Sequence, residues 1–225
     1  MKIPDIFVPE KDLENSVEKL LKERHAQQRY AKFEVIHADT YAKGIAKLKE
    51  QGREPFTFSE NVEARIADYE INGEDAKLFK TWLDSITGVA YKAKSTKFKI
   101  ILRSDKLENI KPDFKQSFMP IDYDAEKGVG LDSKKGKYNQ LLTRKEVKNH
   151  NFWLAVMNGD KEKLEKYVNI WFDKTKAKEG MGVYLRGNTS QDELRALALY
   201  DDSSNSNAYG GYILDYDARF VAGVK

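Results

Sequence analysis

The sequence predicts an α+β protein in which a helical first third is followed by short strands, long loops and two helices. Apolar residues recur at helical spacing from Leu13 to Leu21. From residue 89 onward, short β-branched and aromatic segments are bounded by polar residues, as in strands. Between 103 and 142, two prolines and three glycines indicate a long irregular region. We therefore divide the chain into a helical N-terminal extension, 1–55, and a mixed domain, 56–225.

The helices of the first part are indicated by their start and stop signals. A helix is predicted from Asp39 as N-cap, ending before Gly52. Thr57 and Glu60 form a capping-box pattern, which predicts a helix up to the Asn-Gly pair at 72–73. Apolar residues at 78, 82, 83 and 86 predict one more helix that ends at 87–88.

Strands and short helices alternate in the remainder of the chain. Strands are predicted at 89–91, 98–102, 182–185, 197–200 and 219–224. A capping box at Thr143 and Glu146 and an N-cap at Asp160 predict two helices over 143–171. The same pattern at Ser190 and Glu193 predicts a single helical turn.

Composition limits the classes of protein to which the chain can belong. Its 225 residues, 40% of them apolar, can bury a sizeable core. The absence of cysteine excludes disulfides, thiolate catalysis and cysteine-ligated metals. No apolar run approaches the roughly 18 residues of a membrane span. The start, MKIPDIFVPE, is interrupted too early by proline and aspartate for a secretory signal. We expect synthesis in the cytoplasm and no membrane span.

A basic middle segment leaves one alternative function open. Residues 86–150 hold 15 Lys/Arg against 8 Asp/Glu, although the whole chain carries only +3. This excess is typical either of a polyanion-binding surface or of the solvent-facing side of an amphipathic strand at 97–102. Pro112-Asp113 with Asp132 and Lys134 also matches the loose pattern of a metal-dependent nuclease. Because similar triplets occur at 75–77 and 113–115, the pattern is weak.

Other candidate metal and catalytic groups are scattered. The Asp-Tyr-Asp triplets at 122–124 and 215–217 would place two carboxylates on one face of a strand, where they could hold Mg²⁺. So short a match is easily coincidental in a chain rich in both residues. The three histidines, at 25, 37 and 150, show no metal-ligand spacing. We expect no catalytic residues, no metal and no cofactor.

Residues 200–217, YDDSSNSNAYGGYILDYD, differ sharply in composition from the rest of the chain. They contain four Asp, four Tyr, three Ser and two Asn, but no Lys, Arg, Glu or Gln. Four aromatic rings in a polar segment are costly to leave in water unless something covers them. Tyrosine among small polar residues is the mixture that binding loops favour, because it combines rigid amphipathic area with adaptable hydrogen bonds. The composition favours a binding face over a flexible spacer.

The C-terminal segment resembles a known family. DELRALALYDD from residue 192, followed by SNAYGGYILDYDARFVAGV from residue 206, is similar to the variable region of proteins diversified by retroelements. The resemblance implies that adenines of the coding DNA are randomised. Asparagine codons can then become Ser, Asp, Tyr, Gly or Ala codons, but not Lys, Glu or Gln codons. It also implies a C-type-lectin-like fold for 56–225, with a variable ligand-binding region near 197–220 and no bound metal.

In this family, fixed positions that support the fold alternate with variable positions that contact the ligand. The resemblance implies an unidentified macromolecular ligand, with protein favoured over nucleic acid. The fixed set, here called the frame positions, would be Leu197, Leu199, Ala208, Gly210, Leu214, Ala218, Arg219 and Phe220. The variable, ligand-binding set would be Tyr200, Asp201, Asp202, Ser204, Tyr209, Tyr212, Asp215, Tyr216 and Asp217.

Overall fold

A mixed β-sheet organises the part of the chain that the structure describes. The structure is a computed structural model and describes residues 33–201, 205–211, 214–215 and 219–225, without the side chains of Lys80, Asp201 and Arg219. The strands are β1 (Glu34–Ala38), β2 (Glu54–Pro55), β3 (Leu83–Tyr91), β4 (Lys97–Ile101), β5 (Met119–Pro120), β6 (Val129–Asp132), β7 (Leu141–Thr143), β8 (Glu179–Tyr184), β9 (Glu193–Asp201), β10 (Ser206–Tyr209) and β11 (Arg219–Val224). The helices are α1 (Tyr41–Glu50), α2 (Phe58–Asn72), α3 (Asp105–Glu108), α4 (Arg144–Lys148), α5 (Asn151–Val156) and α6 (Lys161–Thr175).

Strands β3 and β9 form the centre of the sheet. The main path runs β1-β11-β3-β9-β10-β8-β7, with β4 and β6 continuing from the second half of β3. All nine residues of β3 are buried, as expected for a strand covered on both faces. A shift in the β3–β9 register between Asp84 and Gly88 lets the two halves of β3 pair with different strands. Strand β10 is antiparallel to β9 and parallel to β8.

Helices cover the two faces of this sheet, and two of the three apolar clusters among the described residues lie on opposite faces of it. On one face, α2 and α4–α6 pack against alternate residues of β8, β9 and β10, with Trp153, Trp171 and Tyr167 at the centre. On the other face, α1 packs Tyr41 and Ile45 against β3, β9 and β11. No helix among the described residues is long and apolar enough to cross a membrane.

The strongest local signals in the sequence act as predicted. Thr57 accepts from the backbone N–H of Glu60, whose carboxylate accepts from the backbone N–H of Thr57, and α2 follows. Thr143 and Glu146 make the same reciprocal pair at the start of α4, and Asp160 caps α6. These caps satisfy amide groups that the first turn of a helix leaves without partners. The predictions of these three helix starts are confirmed.

Two predicted helical segments are wrong. The segment 78–86 forms a short 3₁₀ turn, Leu78–Lys80, and then enters β3. Its apolar residues match a helical period, but both faces of the strand are buried, so apolar residues occur on each. Glu193 does not cap a helical turn either: it is the first residue of β9, and its buried carboxylate accepts from Arg195 Nε at 2.6 Å. In both places burial in the sheet overrides the local pattern.

The described part of the predicted helical extension contains two strands as well as a helix. Residues 34–38 are not helical but form β1, which pairs with β11 over its whole length. Helix α1 begins at Tyr41 with Thr40, rather than Asp39, as its N-cap, and it packs on β11. Strands β1 and β2 therefore belong to the same sheet as the C-terminal strand, and α1 packs on that sheet. The helix predicted over 13–21 lies outside the described residues.

Candidate ligand-binding face

The two strands that flank residues 202–204, β9 and β10, place alternate side chains on opposite faces of the sheet. Asn207 pairs with Tyr200 across the strands, and Ala208 pairs with Leu199. Leu199 and Ala208 are fully buried against the cluster that contains α6. Because side chains alternate along a strand, Tyr200, Asn207 and Tyr209 lie on the opposite face. Both tyrosines are half-buried there.

Two aromatic residues from distant parts of the sequence extend this surface. The Trp82 ring lies 4.7 Å from the Tyr200 ring and 6.4 Å from the Tyr209 ring, measured between centroids. Tyr184 is the cross-strand neighbour of Tyr209 on β8, and their rings are 6.2 Å apart and inclined by only 25°. All four rings are half-buried. We call Trp82, Tyr184, Tyr200 and Tyr209 the ring row.

An amide and a glycine lie within the same surface. Asn207 is 6% exposed, and its Oδ1 has no hydrogen-bond partner among the described residues. A Cβ at Gly182 would lie 3.0 Å from that oxygen, 3.0 Å from the Tyr184 ring and 2.6 Å from the Gln140 carbonyl oxygen. Only glycine fits at 182 without displacing the backbone at Gln140. The absence of a side chain there leaves room for both the Asn207 amide and the Tyr184 ring.

A buried arginine connects strands β9 and β10 on the core side of the sheet. Arg65 on α2 is fully buried, and its guanidinium donates to the carbonyl oxygens of Thr81 at 2.7 Å and Leu199 at 3.1 Å. It also donates to the Tyr167 hydroxyl at 2.8 Å, which lies 2.8 Å from the Ser206 hydroxyl. The last turn before β3, the end of β9, the start of β10 and α6 therefore meet at one side chain directly behind the ring row.

The described ends of segment 210–215 are also fixed to the scaffold. The Tyr91 hydroxyl donates to the Gly210 carbonyl oxygen at 2.8 Å, and burial raises the pKa of that hydroxyl, so it stays a donor. The buried Arg195 guanidinium lies 3.4 Å from the Gly211 carbonyl oxygen. At the other end, the Leu214 amide donates to the Ser117 carbonyl oxygen at 2.9 Å.

The structure describes part of the predicted site. Tyr200 and Tyr209 lie together in the ring row, whereas Asp215 is half-buried and accepts a hydrogen bond from the Ser117 hydroxyl at 3.3 Å. Asp201 belongs to β9, but its side chain lies outside the described residues. The predicted binding residues Asp202, Ser204, Tyr212, Tyr216 and Asp217 lie there entirely.

Most of the frame positions that the structure describes are buried. Leu197, Leu199, Ala208 and Leu214 have no exposed surface, and a Cβ at Gly210 would approach Tyr91 Oη to 2.8 Å. Phe220 is half-buried, and Ala218 and the Arg219 side chain lie outside the described residues. Trp82 and Tyr184 were missed by the sequence analysis. For Tyr184 a signal existed, since Met181, Val183 and Leu185 alternate with Gly182 and Tyr184 as in a half-exposed strand.

Three of the carboxylates considered for metal binding, Asp122, Asp124 and Asp132, make local structural contacts. Asp122 Oδ1 accepts from the Asp124 backbone N–H at 3.0 Å, and Asp124 pairs with Lys92 at 2.9 Å. Asp132 Oδ1 accepts from the Lys134 backbone N–H at 3.0 Å, at the start of a 3₁₀ turn. Nowhere in the described ranges do three histidines or acidic residues cluster as they would around a metal ion.

This combination of a mixed sheet, flanking helices and a surface of strand ends and loops is a C-type lectin fold, as predicted. The chain is similar to a solved structure from Nanoarchaeota whose description reads "Accommodation of massive sequence variation in Nanoarchaeota by the C-type lectin fold". The TM-score is 0.67 at 15% identity, covering 86% of this chain and 97% of the other. No protein-family model and no curated protein match.

Proposed function

We propose that the chain is a non-enzymatic ligand-binding protein that presents a hypervariable C-terminal surface on its C-type lectin scaffold, and that a retroelement diversifies this surface. The ligand is a macromolecule, in our proposal a protein. The observation that carries the proposal is the ring row. Tyr200 and Tyr209 lie half-buried on one face of β9 and β10, beside Trp82 and Tyr184, and the other face of these two strands is fully packed core.

The rigidity of the rings and of the backbone beneath them also supports a binding function. Rings on a sheet face lose little conformational freedom on binding, and they offer large amphipathic contact area. Arg65 and the contacts of Gly210 and Leu214 hold the backbone beneath the surface. Outward side chains can therefore change without disturbing the core, which is the property that a diversified binding surface requires.

Binding is tested with the tyrosines of the C-terminal segment. Alanine at Tyr209, Tyr212 and Tyr216 together should preserve the melting temperature within a few degrees and abolish capture of the ligand from lysates of the source cells. The matched control is Tyr69→Ala, a half-buried tyrosine on α2, on the core side of the sheet, which should retain capture. Unfolding of the triple variant would mean that the rings are core, and the proposal would be wrong.

Diversification is tested at the gene. We expect a near-identical copy of the C-terminal coding segment that differs mainly at adenines and lies beside a reverse-transcriptase gene. A set of natural alleles whose differences are spread evenly over the frame positions and the variable positions would contradict diversification, but it would leave the binding function standing.

The basic middle segment supports a second candidate, a polyanion-binding protein or metal-dependent nuclease. Lys94, Lys97, Lys134 and Lys135 are all exposed near the joined ends of β4 and β6, where the Ser133 amide donates to the Thr96 carbonyl oxygen at 2.9 Å. Such a cluster attracts phosphates. Incubation with Mg²⁺ and plasmid DNA tests the nuclease: cleavage that is lost in the Asp132→Ala and Lys134→Ala double variant would favour it, and intact plasmid would argue against it. A mobility shift of the plasmid that the same double variant loses would favour polyanion binding without cleavage.

A further inference from the structure

Strand β6 forms an edge of the sheet that no other described strand covers. Its residues, Val129–Asp132, pair with β4 on one side only. We propose that this edge binds an extended segment of a protein partner, in which acidic residues alternate with apolar ones, as one more antiparallel strand of the sheet. The inference goes beyond the proposed function, because β6 and the ring row share no residue.

The register of β4 and β6 shows which backbone groups are available to an added strand. Just beyond the paired residues, the Ser133 N–H donates to the Thr96 carbonyl oxygen at 2.9 Å. Hydrogen-bonding groups point alternately to the two sides of an antiparallel strand, so every second residue counted back from Ser133 also faces β4. The residues between them, Gly130 and Asp132, direct N–H and C=O away from β4, where no backbone group of the described residues meets them. An added strand would pair with these groups.

The surface beside this edge has room for a strand and an apolar contact for it. Gly128, Val129 and Gly130 are all exposed, and a Cβ at Gly130 would meet no atom within 4 Å. Val129 is 43% exposed, although its cross-strand neighbour Ile100 is fully buried. An apolar residue of an added strand would lie beside Val129 and remove its side chain from water.

The charge around β6 selects an acidic occupant. Lys127 precedes the strand, Lys134 and Lys135 follow it, and Lys97 is paired with its last residue across β4. All four lysines are exposed, and none forms an ion pair within the described part of the chain. The Asp132 carboxylate already accepts from the Lys134 backbone N–H at 3.0 Å. Lysines at a sheet edge discourage indiscriminate strand pairing, whereas opposite charges on neighbouring strands stabilise it.

Two other occupants fit this edge less well. Antiparallel pairing of two copies of β6, with Gly130 opposite Asp132, would bring Lys127 of each chain towards Lys135 of the other, and like charges oppose such pairing. A nucleic acid would satisfy the lysines, but it has no row of peptide groups at strand spacing, and it would leave Val129 in water.

Hydrogen exchange in the unaltered full chain tests the open edge without a ligand. The amides of Val129 and Leu131 face β4 and should exchange more slowly than those of Gly130 and Asp132, which face solvent. Equal protection of the two sets would mean that the edge is not open as its register indicates, and the inference would be wrong.

Binding is tested by NMR with the isotope-labelled full chain and a capped heptapeptide of alternating glutamate and valine that begins and ends with glutamate. We expect saturable shifts of the amides at 128–132, and slower exchange at Gly130 and Asp132 when the peptide is bound. The matched control is the same peptide with lysine in place of glutamate. At equal ionic strength it should bind at least roughly three-fold more weakly, because its charges would lie beside those of the lysines.

Methylation of the peptide backbone tests whether binding is strand addition. When the valines of the peptide lie beside Val129, the glutamate amides face β6 and the valine amides face solvent. Methylating the glutamate nitrogens should therefore weaken binding at least roughly ten-fold, since several hydrogen bonds are lost. Methylating the valine nitrogens leaves charge and composition the same and should have little effect.

Two variants at one position test the same contact from the side of the protein. Gly130→Pro removes an N–H that faces away from β4, so the chain should fold and bind the glutamate peptide roughly two- to ten-fold more weakly. Gly130→Ala keeps the N–H and places its Cβ in open space, so it should bind as the unaltered chain does. If Gly130→Pro fails to fold, the two methylated peptides decide on the unaltered chain.

Equal binding of the glutamate and lysine peptides, equal binding of the two methylated peptides, or absence of shifts at 128–132 would overturn the inference. Displacement of the peptide by an oligothymidylate that shifts the same amides would identify a phosphate-binding surface instead. Shifts at these amides that depend on protein concentration alone would identify a second copy as the occupant. Either result would overturn the inference and would leave capture through the C-terminal tyrosines, and with it the proposed function, untouched.

Discussion

Arg65 offers the sharpest test of how the scaffold supports the strands that carry the ring row. Its side chain is fully buried between α2 and the sheet, and it donates to the carbonyl oxygens of Thr81 and Leu199 and to the Tyr167 hydroxyl. Replacement by methionine keeps an unbranched apolar stem of similar shape but removes every donor. The buried carbonyl group of Leu199 and the half-buried carbonyl group of Thr81 would then lose a charged hydrogen-bond donor.

The expected cost follows from these contacts. Hydrogen bonds to a charged group contribute about 1.5–3 kcal/mol each, so two carbonyl contacts correspond to roughly 3–6 kcal/mol. Part of this is offset, because the variant no longer buries a guanidinium, whose desolvation is itself unfavourable. We expect a net loss of about 3 kcal/mol in the free energy of unfolding. With a urea dependence of about 2 kcal/mol per molar, the unfolding midpoint should fall by roughly 1.5 M.

Urea unfolding followed by tryptophan fluorescence and circular dichroism measures this change. The control is Arg103→Met, which removes an arginine that is partly exposed and pairs with Glu108 at 2.7 Å. Partly exposed pairs contribute at most about 1 kcal/mol, so the control midpoint should move little. If Arg65→Met shifted the midpoint no more than Arg103→Met does, Arg65 would not be the support that its hydrogen bonds indicate.

Two further predictions concern a histidine and a glycine. Burial lowers the pKa of His150 below its usual 6.5, and its Nε2 lies 2.9 Å from the Lys137 carbonyl oxygen. Because the unfolded chain takes up the proton first, the stability linked to this group is complete above pH 6.5 and falls as the pH decreases below it. Between about pH 7.5 and 5, the urea unfolding midpoint of His150→Asn should therefore change less than that of the unaltered protein. Equal changes of the midpoint with pH in the two proteins would contradict this. Gly210→Ala should destabilise by about 1–3 kcal/mol in thermal unfolding, because its Cβ would meet Tyr91 Oη at 2.8 Å. Gly211→Ala, whose nearest contact is 3.5 Å, is the control and should be tolerated; equal losses would exclude the steric explanation.

Local chemistry explains which elements could be predicted from the sequence. The boxes at Thr57–Glu60 and Thr143–Glu146 need only four consecutive residues, so their patterns were sufficient. At Ser190–Glu193 the same pattern predicted a helical turn that does not form. Glu193 lies in β9 instead, where Arg195, two residues further along the strand, is its buried partner. A strand covered on both faces, such as β3, leaves no periodicity that distinguishes it from a buried helix.

The candidate site also contains residues that the local sequence indicates and residues that only the fold brings to it. The unusual composition of 200–217 points to Tyr200 and Tyr209 without any tertiary information. Trp82 could not be assigned in this way, since it meets Tyr200 only because β3 pairs with β9, more than 100 residues later in the chain. Long-range strand pairing is decided by the packing of the whole sheet, not by the residues on either side of a tryptophan.

The position of β11 has a consequence for biosynthesis. This strand inserts between β1 and β3, and its pairs with β1 join residues more than 180 positions apart. It is the last of the described strands to leave the ribosome, so until then β1 and half of β3 present open hydrogen-bonding edges. Such distant closure slows folding and leaves nascent chains prone to associate with one another. Expression should therefore benefit from chaperones that shield strand edges.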